Sequence, residues 1–242
     1  MSNMINICVL RFKLLIKSAV LTLPVIALIG FLWIMYKQAP IPVSSSFILS
    51  AVFLFFVFIF ISMGLNGKED DVFEETLLFH CRSISNYYVS RELLLLILCC
   101  VFSLILTLFP AIIYLFDKSR FGRPMEFIDV VCGGANILAC GIVGMQIGDF
   151  FHPRIIQKRR DAILFATLFS VISISKFGLI EFNPIFKFLN YILPPVLDSY
   201  KKVENDCFDT KGMTLIFLYL LVYAVIILLF KLKLLTMKKF RY

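Results

Sequence analysis

The sequence predicts an all-α protein that crosses a membrane several times. Of its 242 residues, 60% are hydrophobic and only 17% are charged, and the mean hydropathy is +0.93. A soluble domain has about a quarter of its residues charged, whereas here the charges fall in clusters between long apolar runs. Runs of about 20 apolar residues are long enough to cross a bilayer as helices. We therefore expect a polytopic α-helical membrane protein with a single transmembrane domain, residues 1–242.

Six apolar runs predict six transmembrane helices. The spans are expected at about residues 18–36, 43–65, 93–116, 128–148, 162–180 and 213–230. The fifth reaches full length only if the Lys176 side chain extends to the interface. Residues 181–200 are apolar and aromatic but interrupted by prolines, which predicts a re-entrant or interfacial hairpin on the outer face.

The basic residues predict the orientation. With the N-terminus inside, the cytoplasmic segments hold fifteen Lys and Arg and the outer loops hold nine. This excess favours cytoplasmic N- and C-termini. Residues 4–17 mix apolar residues with three basic ones, which is typical of an amphipathic helix lying in the cytoplasmic interface. The alternative is a frayed start of the first span.

The fourth predicted span is rich in small residues. Cys140, Gly144 and Gly148 form a small-xxx-small ridge, which allows helix backbones to approach closely in lipid. The sequence leaves open whether this ridge serves tight packing within one subunit or an interface between subunits. Asp149 and His152 follow at the end of this span. Two ligands without a third make a poor metal site, so we expect a solvated helix end there.

Composition and motifs exclude several classes of function. The net charge of +8 comes from basic residues at the ends of apolar runs, so binding of nucleic acid is not expected. The seven cysteines show no ligand or disulfide spacing. We find no catalytic constellation and no phosphate-binding glycine loop. No predicted span holds an acidic residue in its interior, which argues against a secondary carrier or a membrane enzyme.

Residues 68–92 are the long charged interruption early in the chain. The acidic residues at 69–71 suit a helix start, and Phe73, Leu77 and His80 share one side of that helix. Ser90 is predicted to cap the third span. A surface helix that serves only its own loop is the plain alternative.

This segment resembles the cytoplasmic coupling region of type-2 ABC-transporter permeases. The resemblance is carried by Glu74-Glu75-Thr76-Leu77-Leu78, by Ser83-Ile84-Ser85 and by Tyr88-Val89-Ser90-Arg91, with Arg82-Ser83 where the family has a proline. The plan is also similar, with an interfacial first helix, six spans, a short fifth span and a hydrophobic hairpin before the sixth.

The resemblance implies a permease subunit of an ATP-driven exporter in the bacterial cytoplasmic membrane. Two ATPase subunits, which bind the ATP and magnesium, would drive a homo- or heterodimer of permeases; this chain would bind no cofactor itself and would contact membrane lipid. A coupling helix in 68–92 would contact the ATPase through an acidic and aromatic surface, for which the candidates are Asp71, Glu74, Glu75, Leu78 and Phe79.

The family places the substrate path at the interface between permeases. Phe53, Phe56, Phe60 and Phe169 are candidates to line it and would suit a hydrophobic or amphipathic substrate, such as a peptide, toxin, lipid-like compound or drug. Aromatic residues at such positions more often face lipid. The alternative function is that of a non-transporting immunity or assembly protein that binds a cytoplasmic partner through residues 68–92.

Overall fold

The long helices run the length of the molecule in alternating directions. The computed structural model describes residues 2–67, 77, 84–152, 155–156 and 158–237. The α-helices are α1 (Ser2–Ile16), α2 (Ala19–Met35), α3 (Val43–Asn66), α4 (Ile84–Phe116), α5 (Phe127–Phe150), α6 (Arg159–Phe182), α7 (Leu189–Ile192) and α8 (Thr210–Met237). Short 3-10 helices cover Lys118–Arg120, Pro184–Phe188 and Asp198–Lys202, and the strands β1 (Val203–Glu204) and β2 (Cys207–Phe208) form an antiparallel hairpin.

Close contacts define the two ends of the bundle. Val20, at the start of α2, lies beside Gly64, at the end of α3. Lys231, near the end of α8, binds Asp149, near the end of α5. We call this the charged end, and we call the opposite end, which holds β1 and β2, the hairpin end. The described part of the chain therefore begins and ends at the charged end.

Among the residues that the structure describes, four helices are long and apolar enough to cross a membrane. They are α3, Tyr87–Phe116 of α4, α5, and Thr210–Leu235 of α8. Asn6–Ile16 and Ala19–Met35 meet at a bend of 66°, and count as a fifth span if the bent pair is taken together. The chain is thus an all-α protein with the character of a polytopic membrane protein, and the predicted number of six spans is not confirmed.

Helices α3 and α5 form the centre of the bundle. In the most apolar stretch of α3, 61% of the residues are buried. The helix contains no charged side chain. The two helices approach closely because Gly144 and Gly148 of α5 have no side chain. A β-carbon on Gly144 would meet the Phe55 carbonyl of α3, and one on Gly148 would meet the Ile59 carbonyl. This contact lies within one chain, which is one of the two possibilities left open for the ridge.

One predicted cap is wrong, and two helices extend beyond the predicted spans. Helix α4 begins at Ile84, within segment 68–92 and before the third predicted span. Ser90 lies inside α4 and donates its hydroxyl hydrogen bond to the Tyr87 carbonyl, 2.7 Å away, so it is not the N-cap. The sixth span was expected to end near residue 230, whereas α8 continues to Met237. In each case a helix runs through charged residues that hydropathy assigns to a loop or tail.

The hairpin end is fastened by Asp206. The residues Asn205 and Asp206 form the tight turn between β1 and β2, with φ of 49° and 62°. The Asp206 carboxylate accepts hydrogen bonds from the backbone amides of Val43 and Ser44, at 2.8 and 2.9 Å. The residue at the N-cap position of α3 is Pro42, whose side chain makes no cap. Asp206 therefore caps α3 from a distant part of the chain.

Segment 181–200 is a broken helical excursion at the hairpin end. Helix α6 ends at Phe182. The 3-10 helix Pro184–Phe188 and α7 follow, and the chain then enters the 3-10 helix Asp198–Lys202. The hydroxyls of Tyr219 and Tyr223 in α8 donate hydrogen bonds to the carbonyls of Asn190 and Ile192, at 3.2 and 2.8 Å. This part of the chain is thus held against the start of α8.

Candidate functional site

Five polar side chains form a buried ion cluster at the charged end. They come from α4, α5 and α8, and they are Arg91, Glu92, Gln146, Asp149 and Lys231. Lys231 and Arg91 are each 1% exposed, and Asp149 is 2% exposed. Charges are rarely buried this completely unless they are paired. The cluster contains two cations and two anions, so its formal charges balance.

Lys231 is the centre of one half of the cluster. Its ammonium group donates hydrogen bonds to Asp149 Oδ2 at 2.6 Å, to Gln146 Oε1 at 3.2 Å, and to Glu92 Oε1. An ammonium has three donors, and all three are used here. The Gln146 amide donates in turn to Glu92 Oε2 at 2.6 Å. One lysine therefore joins α8 to both α4 and α5.

Arg91 organises the other half. Its guanidinium forms an ion pair with Asp149 and donates a hydrogen bond to Asn66 Oδ1, near the end of α3. The Asn66 amide reaches the Gly148 carbonyl at 3.4 Å. Asp149 is consequently shared between Arg91 and Lys231. The expected solvated helix end is wrong for Asp149, because two cations from other helices cover it.

Helix α1 joins the same region through Arg11. This side chain is fully buried, and its guanidinium carbon lies 4.3 Å from the centre of the Tyr87 ring. It donates to Ser90 Oγ at 2.7 Å and to the Tyr87 carbonyl at 3.1 Å. The N-terminal helix is therefore held on α4 by a charged side chain, and its packing is not only that of an apolar face in a membrane interface.

The start of α4 contacts four other helices through three consecutive residues. Successive side chains on an α-helix point about 100° apart. Ser90 therefore faces α1, Arg91 faces α3 and α5, and Glu92 faces α5 and α8. Any displacement of the first turns of α4 would have to move these partners or separate buried charges, which is costly in a low-dielectric interior.

His152 lies beside the cluster and is buried. It is 3% exposed, and its ring packs edge-on against Tyr88, with 6.3 Å between ring centres. The expectation of a solvated end is therefore wrong for His152 as well. Within the part of the chain that the structure describes, no three His, Cys, Asp or Glu side chains lie close enough together to hold a metal ion.

A second polar cluster lies at the hairpin end. Arg123 donates to both Asp129 carboxylate oxygens, at 2.8 and 2.7 Å, and to the Asp206 carbonyl at 2.7 Å. The hydrogen bonds to Asp129 raise the pKa of Arg123 above its ordinary value. Lys176 of α6 binds Asp198 at 2.9 Å and is 1% exposed. The Lys176 side chain, which is expected to extend to the interface, forms an ion pair with Asp198 in the segment before β1.

The five candidates for a partner contact, Asp71, Glu74, Glu75, Leu78 and Phe79, lie outside the described residues. Leu77, between them, is described and is buried in a small apolar cluster with Ile7, Tyr87, Tyr88 and Leu235. The segment is therefore attached at Leu77 to α1, α4 and α8, immediately beside the ion cluster.

The four aromatic candidates for a substrate path have different surroundings. Phe53 stacks on Phe31 of α2, with ring centres 4.2 Å apart. Phe56 and Phe169 are half-buried against the core, and Phe60 is 51% exposed near the charged end. In the ridge of small residues, the Cys140 sulfur lies 3.9 Å from the Val196 carbonyl.

Sequence reasoning missed the ion cluster. The sixth predicted span ends at residue 230, just before Lys231. Arg91 and Glu92 fall between the predicted Ser90 cap and the third span, and Asp149 falls at the end of the fourth. One signal was present, because apolar residues continue around Lys231 at Leu232, Leu234 and Leu235. The pairing between helices has no local sequence pattern. Comparison with protein-family models, with curated proteins and with solved structures finds no match to this chain.

Proposed function

We propose that this chain is the transmembrane permease subunit of an ATP-driven ABC exporter that moves a hydrophobic or amphipathic substrate. In this proposal it has six spans and cytoplasmic termini in a bacterial cytoplasmic membrane. It pairs with a second permease, identical or different, and is driven by two ATPase subunits. The proposal begins from the sequence resemblance of residues 68–92 to a coupling region.

The observation that supports it best is the attachment of α4. A coupling segment works only if its movement reaches the spans. Here the segment leads into α4, whose residues Ser90, Arg91 and Glu92 bind four other helices. Because these bonds are buried and charged, a force on the segment would be transmitted to α1, α3, α5 and α8 together rather than absorbed by a loose joint.

Two features of the bundle agree with a role in which energy enters from a partner. The ion cluster joins α3, α4, α5 and α8 and contains two cations and two anions, which favours a role in holding these helices together. The lipid-facing surface is strongly apolar, with exposed side chains such as Leu23, Ile26 and Ile29 on α2. In this proposal the buried charges serve the packing of the helices, and the energy for transport comes from the ATPase subunits.

The test is capture of the ATPase with the full chain from its native membrane. The tagged wild-type protein should co-purify with a protein that carries a G-x-x-x-x-G-K-[ST] motif, identified by mass spectrometry. The double variant Glu74→Ala/Phe79→Ala should lose this partner, because it removes an acid and an aromatic residue from the proposed contact. The matched control is Phe116→Ala/Asp117→Ala, which removes the same residue types at the hairpin end.

The outcomes separate the two candidate functions. Loss of the ATPase in the first double variant alone supports the permease. If no nucleotide-binding protein is captured by the wild type, the proposal is wrong. Capture through residues 68–92 of a different partner without any ATPase would instead favour the immunity or assembly protein.

A further inference from the structure

A cleft opens between α3 and α6 at the charged end. Its volume is about 170 Å³, and one side is open. Phe60, Met63 and Gly64 of α3 form one wall, and Ala162 and Ile163 of α6 form the other. The walls are therefore largely apolar. Phe60 and Ile163 are 51% and 40% exposed, so apolar surface continues from the cleft along the outside of the bundle.

A basic side chain also lines this cleft. Arg159 lines it, and its guanidinium carbon lies 3.0 Å from where a β-carbon on Gly67 would stand. The guanidinium thus lies directly against the backbone at the end of α3. Lys158 and Arg160 flank it and are exposed, as Arg159 is. None of these three forms an ion pair with another residue in the described part of the chain.

We propose that this cleft binds an anionic phospholipid, with the phosphate on Arg159 and the upper part of one acyl chain between α3 and α6. Helices of membrane length place the charged end at headgroup depth. An arginine is the residue best suited to a phosphate, because its fork can donate two parallel hydrogen bonds. The volume is too small to enclose a lipid, but its open side lets the rest of the chain lie on the bundle surface.

Charge complementarity selects this occupant over a neutral lipid or a peptide helix. Basic pockets between helices on the cytoplasmic side recognise acidic headgroups. A neutral lipid would leave the Arg159 charge without a counter-ion at the edge of the hydrocarbon. An apolar peptide helix is too wide for a cleft of this volume, since a helix with its side chains measures about 10 Å across.

The test is lipid binding to the full chain, purified in a neutral detergent and followed by native mass spectrometry. The probes are phosphatidylglycerol and phosphatidylcholine with identical acyl chains. Phosphatidylglycerol should bind about tenfold more tightly, the factor expected for hydrogen bonds to a charged group. Arg159→Gln should remove this preference. Arg160→Gln, which removes the same charge one residue outside the cleft, should change it by less than about twofold.

Two further measurements test whether an acyl chain occupies the cleft. Ile163→Trp fills the cleft and keeps every charge, and it should weaken phosphatidylglycerol binding about as much as Arg159→Gln. Glycerol 3-phosphate, which is a headgroup phosphate without chains, should not displace the lipid at equal concentration. Each variant is first checked for an unchanged elution volume and melting temperature, and Arg159→Gln is an exposed change that the fold tolerates.

Four results would overturn the proposal. Equal losses in Arg159→Gln and Arg160→Gln would mean that the basic surface attracts lipid without a site. Unchanged binding by Ile163→Trp would mean that no chain enters the cleft. Displacement by glycerol 3-phosphate, or equal binding of the two lipids, would remove the acyl chain or the anionic headgroup from recognition.

Discussion

Lys231 of α8 donates a hydrogen bond of 2.6 Å to Asp149 of α5, across 82 residues of sequence and inside the bundle. Both side chains are almost completely buried, at 1% and 3% exposed. Taking either partner away would leave the other charged and without water. The pair, with Arg91 and Glu92, therefore holds the arrangement of three helices at the charged end.

Replacing Lys231 by methionine should destabilise the protein strongly. Loss of one partner of a buried ion pair costs about 3–5 kcal/mol, because Glu92 and Asp149 would then share only Arg91 as a cation. The free energy of unfolding can be followed by titration with sodium dodecyl sulfate. Lys231→Met/Glu92→Gln restores the charge balance and should recover part of the loss. Lys211→Met, at the exposed start of the same helix, is the control and should have little effect.

Gly144→Ala should destabilise the contact between α3 and α5. The added methyl group would collide with the Phe55 carbonyl, and backbone cannot move aside as a side chain can. Overpacking of this kind costs about 1–3 kcal/mol. Gly178→Ala in α6 is the matched control, since nothing lies within 4 Å of the added carbon. It should be neutral or slightly stabilising. Equal effects of the two substitutions in a thermal melt would contradict the close approach.

Asp206→Gly should cost about 1–2 kcal/mol, the range for loss of an N-cap. Glycine tolerates the positive φ of this position, so the substitution removes the carboxylate without adding backbone strain. Asparagine also suits the turn and keeps one oxygen acceptor. Asp206→Asn should therefore lower the free energy of unfolding by about half as much as Asp206→Gly. The comparison is made by thermal unfolding in detergent. If glycine and asparagine behave alike, Asp206 does not cap α3.

Cys207 should report the orientation of the protein. It is exposed at the hairpin end, which we propose to lie outside the cell because of the distribution of Lys and Arg. A membrane-impermeant maleimide should label intact cells carrying the wild-type chain, and Cys207→Ser should abolish this labelling. Lys158→Cys in the Cys207→Ser background should react only after the cells are permeabilised. The reverse pattern would show that the charged end faces outwards.

The apolar runs predicted most of the helices well. The second and fourth spans were expected at 43–65 and 128–148, and α3 and α5 cover Val43–Asn66 and Phe127–Phe150. These helices have clear limits because polar or proline-containing segments bound them. The close approach of α5 was also foreseeable, because only small residues at a spacing of four allow it.

The candidate site was not predictable in the same way. Hydropathy treats Lys231 or Glu92 as the end of a span, because each charge alone is costly in hydrocarbon. The cost of burying these charges falls only when the two side chains pair. Lys231 and Glu92 are 139 positions apart in the sequence. The same reasoning placed Asp149 in solvent. A pattern within one helix cannot show which charge on another helix will balance it.

The order of synthesis gives the ion cluster a further consequence. A ribosome delivers Arg91, Glu92 and Asp149 long before it reaches Lys231, which lies 82 residues after Asp149. A nascent chain that stops before α8 therefore holds one more acid than base at this place. The imbalance opposes tight closure of α4 on α5 until the last helix arrives. Lys231 therefore completes the charge balance of the cluster only after α8 has been made, and we expect chains truncated before α8 to accumulate to a lower level in the membrane.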